Sequence, residues 1–236
     1  DLTQEINSAS KVLNQFIREQ ALNWLNKDKL VGIVGGEHSS ALGLIQALGD
    51  LHKSFGILQI DAHADLRHAY EGFKYSHASI MHNALEVKSV SKLIQVGVRD
   101  YCEEEALRIE EDEKITCHTF PALQEGVYRG ELWSNQVDAI ISDLPDLVYV
   151  SYDIDSLDPA LCPNTGTPVP GGFSFDQVDY LIKKVALSGR KIIGFDLCEV
   201  SPGEGSGEWD GNVGARVLYR LSNLAAASQS KILFND

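Results

Sequence analysis

The stretch Ile60-Asp61-Ala62-His63-Ala64-Asp65 places two carboxylates and an imidazole at every second position. In extended backbone alternate side chains share a face, so Asp61, His63 and Asp65 can converge on one small volume if the strand runs on past Ile60. Gathered there, they are costly inside a core unless a cation or a catalytic task holds them. Similar clusters recur elsewhere. His38 follows Gly35-Gly36-Glu37, Asp153 and Asp155 follow Leu147-Val148-Tyr149-Val150-Ser151-Tyr152, and Glu199 stands shortly after the run Lys191 to Asp196. An oxygen-rich set with some imidazole and no thiolate suits manganese or a similar ion better than structural zinc. His38, Asp61, His63, Asp65, Asp153 and Asp155 are too many ligands for one ion with an open position, but suit two ions bridged by shared carboxylates. Two such ions hold a nucleophile at neutral pH, so hydrolysis is the implied reaction class.

These clusters meet only if the fold brings them together. The apolar spacing from Thr3 to about Lys27 predicts an amphipathic helix, and Leu30 to Val34 reads as a fully buried strand stopped by glycines. Ala41 to Leu51 follows as a helix capped by Ser39 or Ser40. Phe55 to Ile60 is a second buried strand, Arg67 to Ser76 a loop, and a helix opens near His77. The alternation continues with strands over 92–98 and 115–119, a helix over 102–113 between them, and an unassigned region over 121–142. Leu147 to Tyr152 is a strand by its β-branched and aromatic content. A Pro- and Gly-rich loop over 158–172, a helix over 174–187, a strand over 191–196, a polar loop from Ser201 to Trp209 and a helix over 212–226 complete the chain. Buried strands alternating with helices imply a three-layer α/β/α fold around a mainly parallel sheet, in a single domain over residues 1–236. Ligands bind beyond the carboxyl ends of the strands in such sheets, which is where all four clusters fall.

Bulk properties narrow the partners. Thirty-four acidic against 20 basic residues give a net charge of −14, which disfavours nucleic acid and favours cationic small molecules or metal ions. No apolar run approaches the roughly 20 residues needed to span a bilayer. Cys102, Cys117, Cys162 and Cys198 are dispersed with no C-x-x-C pair, which fits a reducing, cytoplasmic compartment.

Gly35-Gly36-Glu37-His38-Ser39, Asp61-Ala62-His63-Ala64-Asp65, Ser151-Tyr152-Asp153-Ile154-Asp155 with Leu157-Asp158-Pro159, Gly166-Thr167-Pro168 with Gly171-Gly172, and Glu199-Val200-Ser201-Pro202 together resemble the ureohydrolase family of arginase, agmatinase and formimidoylglutamase. The match runs in the family's order from about Val31 to the last helix. The resemblance implies an arginase-like fold and two manganese ions per chain. His38, Asp61, Asp65 and Asp153 would hold one ion, and Asp61, His63, Asp153 and Asp155 the other. Asp61 and Asp153 would bridge, and Asp65 would also orient the attacking hydroxide. Glu199 matches the acid that holds the substrate's guanidinium or amidine cation, and His77 the histidine that delivers a proton to the leaving amine. A homo-oligomer, trimer or hexamer, is implied as well.

Departures from the family pattern bear on the substrate. The family's further strand and loop before the first helix have no counterpart here. His77 lies in Tyr75-Ser76-His77-Ala78-Ser79, a context associated with agmatinase-like members. Arg67, after the D-x-H-x-D stretch, would instead suit a carboxylate-ended substrate such as formimidoylglutamate. A single-zinc deacetylase-like amidohydrolase and a catalytically inactive binding protein of the same fold are the alternatives. The fuller ligand set argues against both.

Overall fold

The computed structural model describes residues 2–203 and 207–233, so part of the polar loop expected over Ser201 to Trp209 lies outside the described residues. In chain order the elements are α1 (Leu2–Leu25), β1 (Gly32–Val34), α2 (Leu42–Leu51), β2 (Phe55–Ile60), α3 (Ile80–Leu85), β3 (Val90–Val96), α4 (Glu103–Glu111), β4 (Ile115–His118), α5 (Phe120–Tyr128), α6 (Trp133–Ser142), β5 (Leu147–Asp153), α7 (Phe175–Leu187), β6 (Lys191–Cys198) and α8 (Trp209–Ser228). Short 3-10 turns at His38–Ala41, His77–Ser79 and Ile154–Ser156 carry three of the candidate polar clusters.

The strands form one sheet in the order β1-β6-β5-β2-β3-β4, and every described pairing is parallel. From β2 the chain winds outward through β3 to β4, then returns to lay β5 on the other side of β2 and β6 beyond it. The crevice at the carboxyl ends of β2 and β5 is therefore the point where the winding reverses, the usual ligand site of an open parallel sheet. Apolar side chains alternate between two cores. Leu58, Ile60, Val148, Val150 and Tyr152 face α5 to α8, while Phe55, Ile57 and Tyr149 face α1, α2 and α3. This is the expected three-layer arrangement. No helix among the described residues is long and apolar enough to cross a membrane.

Three local expectations are corrected. The unassigned region over 121–142 contains α5 and α6, which bury Leu123, Val137, Ile140 and Ile141. The first strand covers only Gly32–Val34 and is not buried, because it pairs with β6 alone at the sheet edge; Val34 is 65% exposed. A run of apolar residues reports that a strand exists, not how many neighbours it has. Neither Ser39 nor Ser40 caps α2, whose N-cap is Ala41 with no side-chain hydrogen bond. The 3-10 turn precedes that helix and turns Ser39 towards Glu37 and Ser40 towards Cys198.

Candidate metal centre

Each candidate ligand stands where a strand stops. β2 ends at Ile60, and Gln59 donates to Asp61 Oδ2 at 2.8 Å, fixing the first carboxylate as the chain leaves the sheet. The amide of His63 donates back to Asp61 Oδ1 at 2.7 Å, which curls the segment so that its side chains turn inwards. Asp65 completes the curl with φ +55°, a left-handed conformation that costs a non-glycine residue about 1 kcal/mol or more. β5 ends at Asp153, whose Oδ1 accepts the Asp155 amide at 2.9 Å and starts the 3-10 turn. Asp155 in turn accepts the Ala62 amide at 3.1 Å, tying the two strand ends together.

The result is two ligand groups that share a carboxylate. His38, Asp61 and Asp65 bring one ligand atom each within 4.8 Å of one another, and Asp61, His63 and Asp155 do the same. His38 Nδ1 lies 3.0 Å from Asp65, 3.2 Å from Asp61 and 3.3 Å from Asp153. It is fully buried, yet makes no hydrogen bond of proper geometry with any of the three. Several acceptors aimed at one nitrogen without a hydrogen bond is the arrangement of atoms around a shared cation. On the other side, His63 Nδ1 lies 3.0 Å from Asp155 and 3.6 Å from Asp61. The donor set of oxygen and imidazole, with a shared Asp61, fits two divalent cations.

The electrostatics express the same demand. Burial, followed by the Asp61 charge, lifts the Asp65 carboxyl to about 7. Burial and the neighbouring acids Asp155 and Asp61 raise Asp153 well above the usual carboxylate range, and burial with Asp61 raises Asp155. Burial opposes protonation of both imidazoles, but their carboxylate neighbours win: Asp155 and Asp61 raise His63 to about 11, and His38 rises well above its ordinary value beside Asp153, Asp61 and Asp65. Asp61 alone is lowered, since His38 and His63 outweigh the burial that opposes ionisation. Protons thus supply the positive charge that a cation would otherwise bring.

The other predicted residues surround the cage. Glu199 follows β6 with φ +63°, accepts the His38 amide at Oε1 (2.8 Å), and its Oε2 points towards Gly166, where an added Cβ would stand 3.6 Å away. Burial raises its pKa, against the opposing effect of that amide. His77 Nδ1 lies 3.5 Å from Glu37, which raises the imidazole pKa. A cavity of about 160 Å³ joins His63, Asp65 and His77 to Arg67, Asp100 and Tyr101. Of the larger hollows, those of about 550 and 610 Å³ lie beside α1 and α4, away from this convergence of charge, while one of about 360 Å³ meets Glu37, Tyr70 and His77. Arg67 reaches the cavity, but its Nε is 3.7 Å from the buried Glu105, and its guanidinium lies over the Tyr70 ring. Glu105 also accepts the Leu66 amide at 3.0 Å.

Several supporting residues are missing from the sequence-derived set. Gln95 donates to Gln59 (2.6 Å) and to the Ala64 carbonyl (2.7 Å), while Arg99 donates to the Asp155 carbonyl (2.8 Å). Ser151 and Asp196 stand behind His38. For Gln95, Ser151 and Asp196 the signal was present, since a polar residue inside an otherwise apolar buried strand needs a partner; Arg99 lies in the loop after β3 and carries no such signal.

A parallel α/β/α protein with a carboxylate–imidazole cage at its strand-reversal point is thus defined by fold and site. The chain belongs to the arginase family, whose family model it matches over residues 1–222. It is 38% identical to N(1)-aminopropylagmatine ureohydrolase of Thermus thermophilus over 80% of this chain and 61% of that protein. It is 32% identical to agmatinase of Pyrococcus horikoshii over 95% of this chain and 72% of that one. The crystal structure of proclavaminate amidino hydrolase from Streptomyces clavuligerus superposes with a TM-score of 0.77 at 25% identity, covering 91% of this chain and 70% of that one. The chain therefore spans about three fifths of the length of the first of these relatives.

Proposed function

We propose that the protein hydrolyses the C–N bond of a linear guanidino compound to urea and an amine, with two manganese ions in the cage. The observation that carries this reading is the pair of ligand groups sharing Asp61, with Glu199 and His77 beside them. The names of the relatives, which describe ureohydrolases and an agmatinase, support it. His38, Asp61, Asp65 and Asp153 would hold one ion, and Asp61, His63, Asp153 and Asp155 the other. When bound, such ions supply Lewis acidity and a nucleophile at neutral pH.

The remaining chemistry belongs to the chain. Glu199, held by the His38 amide, pairs with the planar guanidinium and sets its carbon over the cage. Asp65, in its left-handed conformation, orients the attacking oxygen. His77, whose pKa the neighbouring Glu37 raises, delivers a proton to the leaving amine. The family resemblance, the dispersed cysteines and the exposed apolar residues Leu13 and Phe16 of α1 support a cytoplasmic homo-oligomer, trimer or hexamer.

The cavity mouth favours an amine-ended tail. Arg67 is already faced by Glu105, whereas the Asp100 carboxylate is 66% exposed and has only His63 Nε2, 3.9 Å away, as an ion-pair neighbour among the described residues. The exposed part of Arg67 supports a second reading, a carboxylate-ended substrate such as formimidoylglutamate. Product release from agmatine, aminopropylagmatine, guanidinobutyrate, arginine and formimidoylglutamate separates the two. Turnover of amine-ended compounds is the expected result; turnover of formimidoylglutamate alone would establish the second reading. No turnover of any compound by manganese-loaded protein would overturn both.

A further inference from the structure

Sheet register places four polar residues in one row beneath the cage. Gln95 is opposite Gln59, Gln59 opposite Ser151, and Ser151 opposite Asp196, on β3, β2, β5 and β6. All four are fully buried. One half of the row is a relay towards the cage: Gln95 donates to Gln59, and Gln59 to Asp61, with Gln95 Oε1 left without a hydrogen bond among the described residues. The other half ends on a carboxylate. Asp196 is wholly sealed from solvent; Tyr149, Ser151, Cys198 and His38 face it, but neither of its oxygens has a hydrogen bond of good geometry among the described residues. An ionisable group in that state is expensive to bury, so the fold alone does not account for it.

Its neighbour does. Asp196 Oδ1 lies 3.6 Å from His38 Nε2, and Ser151 Oγ lies 2.8 Å from the same nitrogen. The opposite nitrogen, Nδ1, is the one aimed into the cage. A neutral imidazole has one proton, and Nδ1 is available as a ligand only when that proton sits on Nε2. We infer that Asp196, acting with Ser151, is a positioning residue that keeps the His38 proton on Nε2 and so presents the Nδ1 lone pair to a cation. A carboxylate can only accept, so it enforces this tautomer; the hydroxyl of Ser151 accepts from Nε2 and turns its own hydrogen to its cross-strand partner. A carboxamide at position 196 could donate instead and would permit the wrong tautomer. Partners of this kind orient metal-binding histidines generally.

The inference rests on the proposed function only in requiring that the cage bind divalent cations. Its test is manganese titration of the metal-stripped chain by calorimetry, alongside melting temperatures without metal, for wild type, Asp196→Asn and Ser151→Ala. Manganese affinity should fall roughly 10- to 100-fold in Asp196→Asn and in the same direction in Ser151→Ala. The metal-free melting temperature of Asp196→Asn should stay level or rise, because a buried group that is costly to ionise is replaced by a neutral one. Unchanged affinity in both variants would overturn the inference, as would an affinity loss accompanied by an equal loss of metal-free stability. If wild type binds no manganese, the metal-centre reading itself fails; if all three bind equally, only the positioning role fails.

Discussion

The two ends of the cage are built on opposite principles. At the inner end His38 is sealed from solvent, its amide is fixed to Glu199, and its ring is flanked by Ser151 and Asp196. At the outer end the His63 side chain is 22% exposed, and its Nε2 looks towards Asp100 at the cavity mouth. Low dielectric makes the inner contacts strong and intolerant of change; solvent makes the outer ones weak and adjustable. Under the proposed function, ion retention and guanidinium placement would fall to the inner end and discrimination among substrate tails to the outer.

Substitutions should therefore grade steeply from inside to outside. The largest effect is expected from Asp61→Ala, which removes the carboxylate common to both ligand groups; elemental analysis should show loss of both ions, and turnover should vanish. Retention of two ions would mean that Asp61 does not bridge. Glu199→Gln comes next. Stripping the charge that meets a desolvated cation should lower turnover by roughly 10²- to 10³-fold while leaving manganese content intact. A parallel loss of metal would relocate Glu199 from substrate holding to cage support.

Acidity tests the cage as a whole. Asp65 is lifted to about 7 and His63 to about 11, so both hold protons at neutral pH or below, and a cation must displace them. Manganese affinity should consequently rise with pH between 6 and 8, by about tenfold per unit for each proton released. Calorimetry in buffers of different ionisation enthalpy should register that release, and a flat affinity across the range would contradict the raised values. The smallest change is expected at the mouth. Asp100→Asn should raise KM for amine-ended substrates about two- to fivefold with kcat nearly unchanged, the scale of a solvent-exposed ion pair. A much larger effect would move Asp100 from the adjustable end to the rigid one.

Much of this organisation is legible in one dimension. Apolar runs that stop in acid or histidine mark strands whose ends face one edge, and parallel winding brings those ends together whatever the loop lengths. That is why the grouping of His38, Asp61, His63, Asp65, Asp153 and Asp155 is legible in the sequence. What a single sequence does not carry is register and neighbour count. Val34 looks like core but lies on an edge strand, and Arg67 looks like a free cation but meets Glu105, which α4 delivers from 38 positions further along the chain. Gln95, Gln59, Ser151 and Asp196 each stand out as polar residues in buried strands, but nothing within one strand says which partner each meets. They become one polar row only through pairing between strands, since hydrogen-bond register is a relation between distant segments and leaves no periodic trace in any one of them. The sequence by itself determined which atoms are available to hold a cation; the tertiary structure decided which way each of them faces, because the groups that orient them come from other strands.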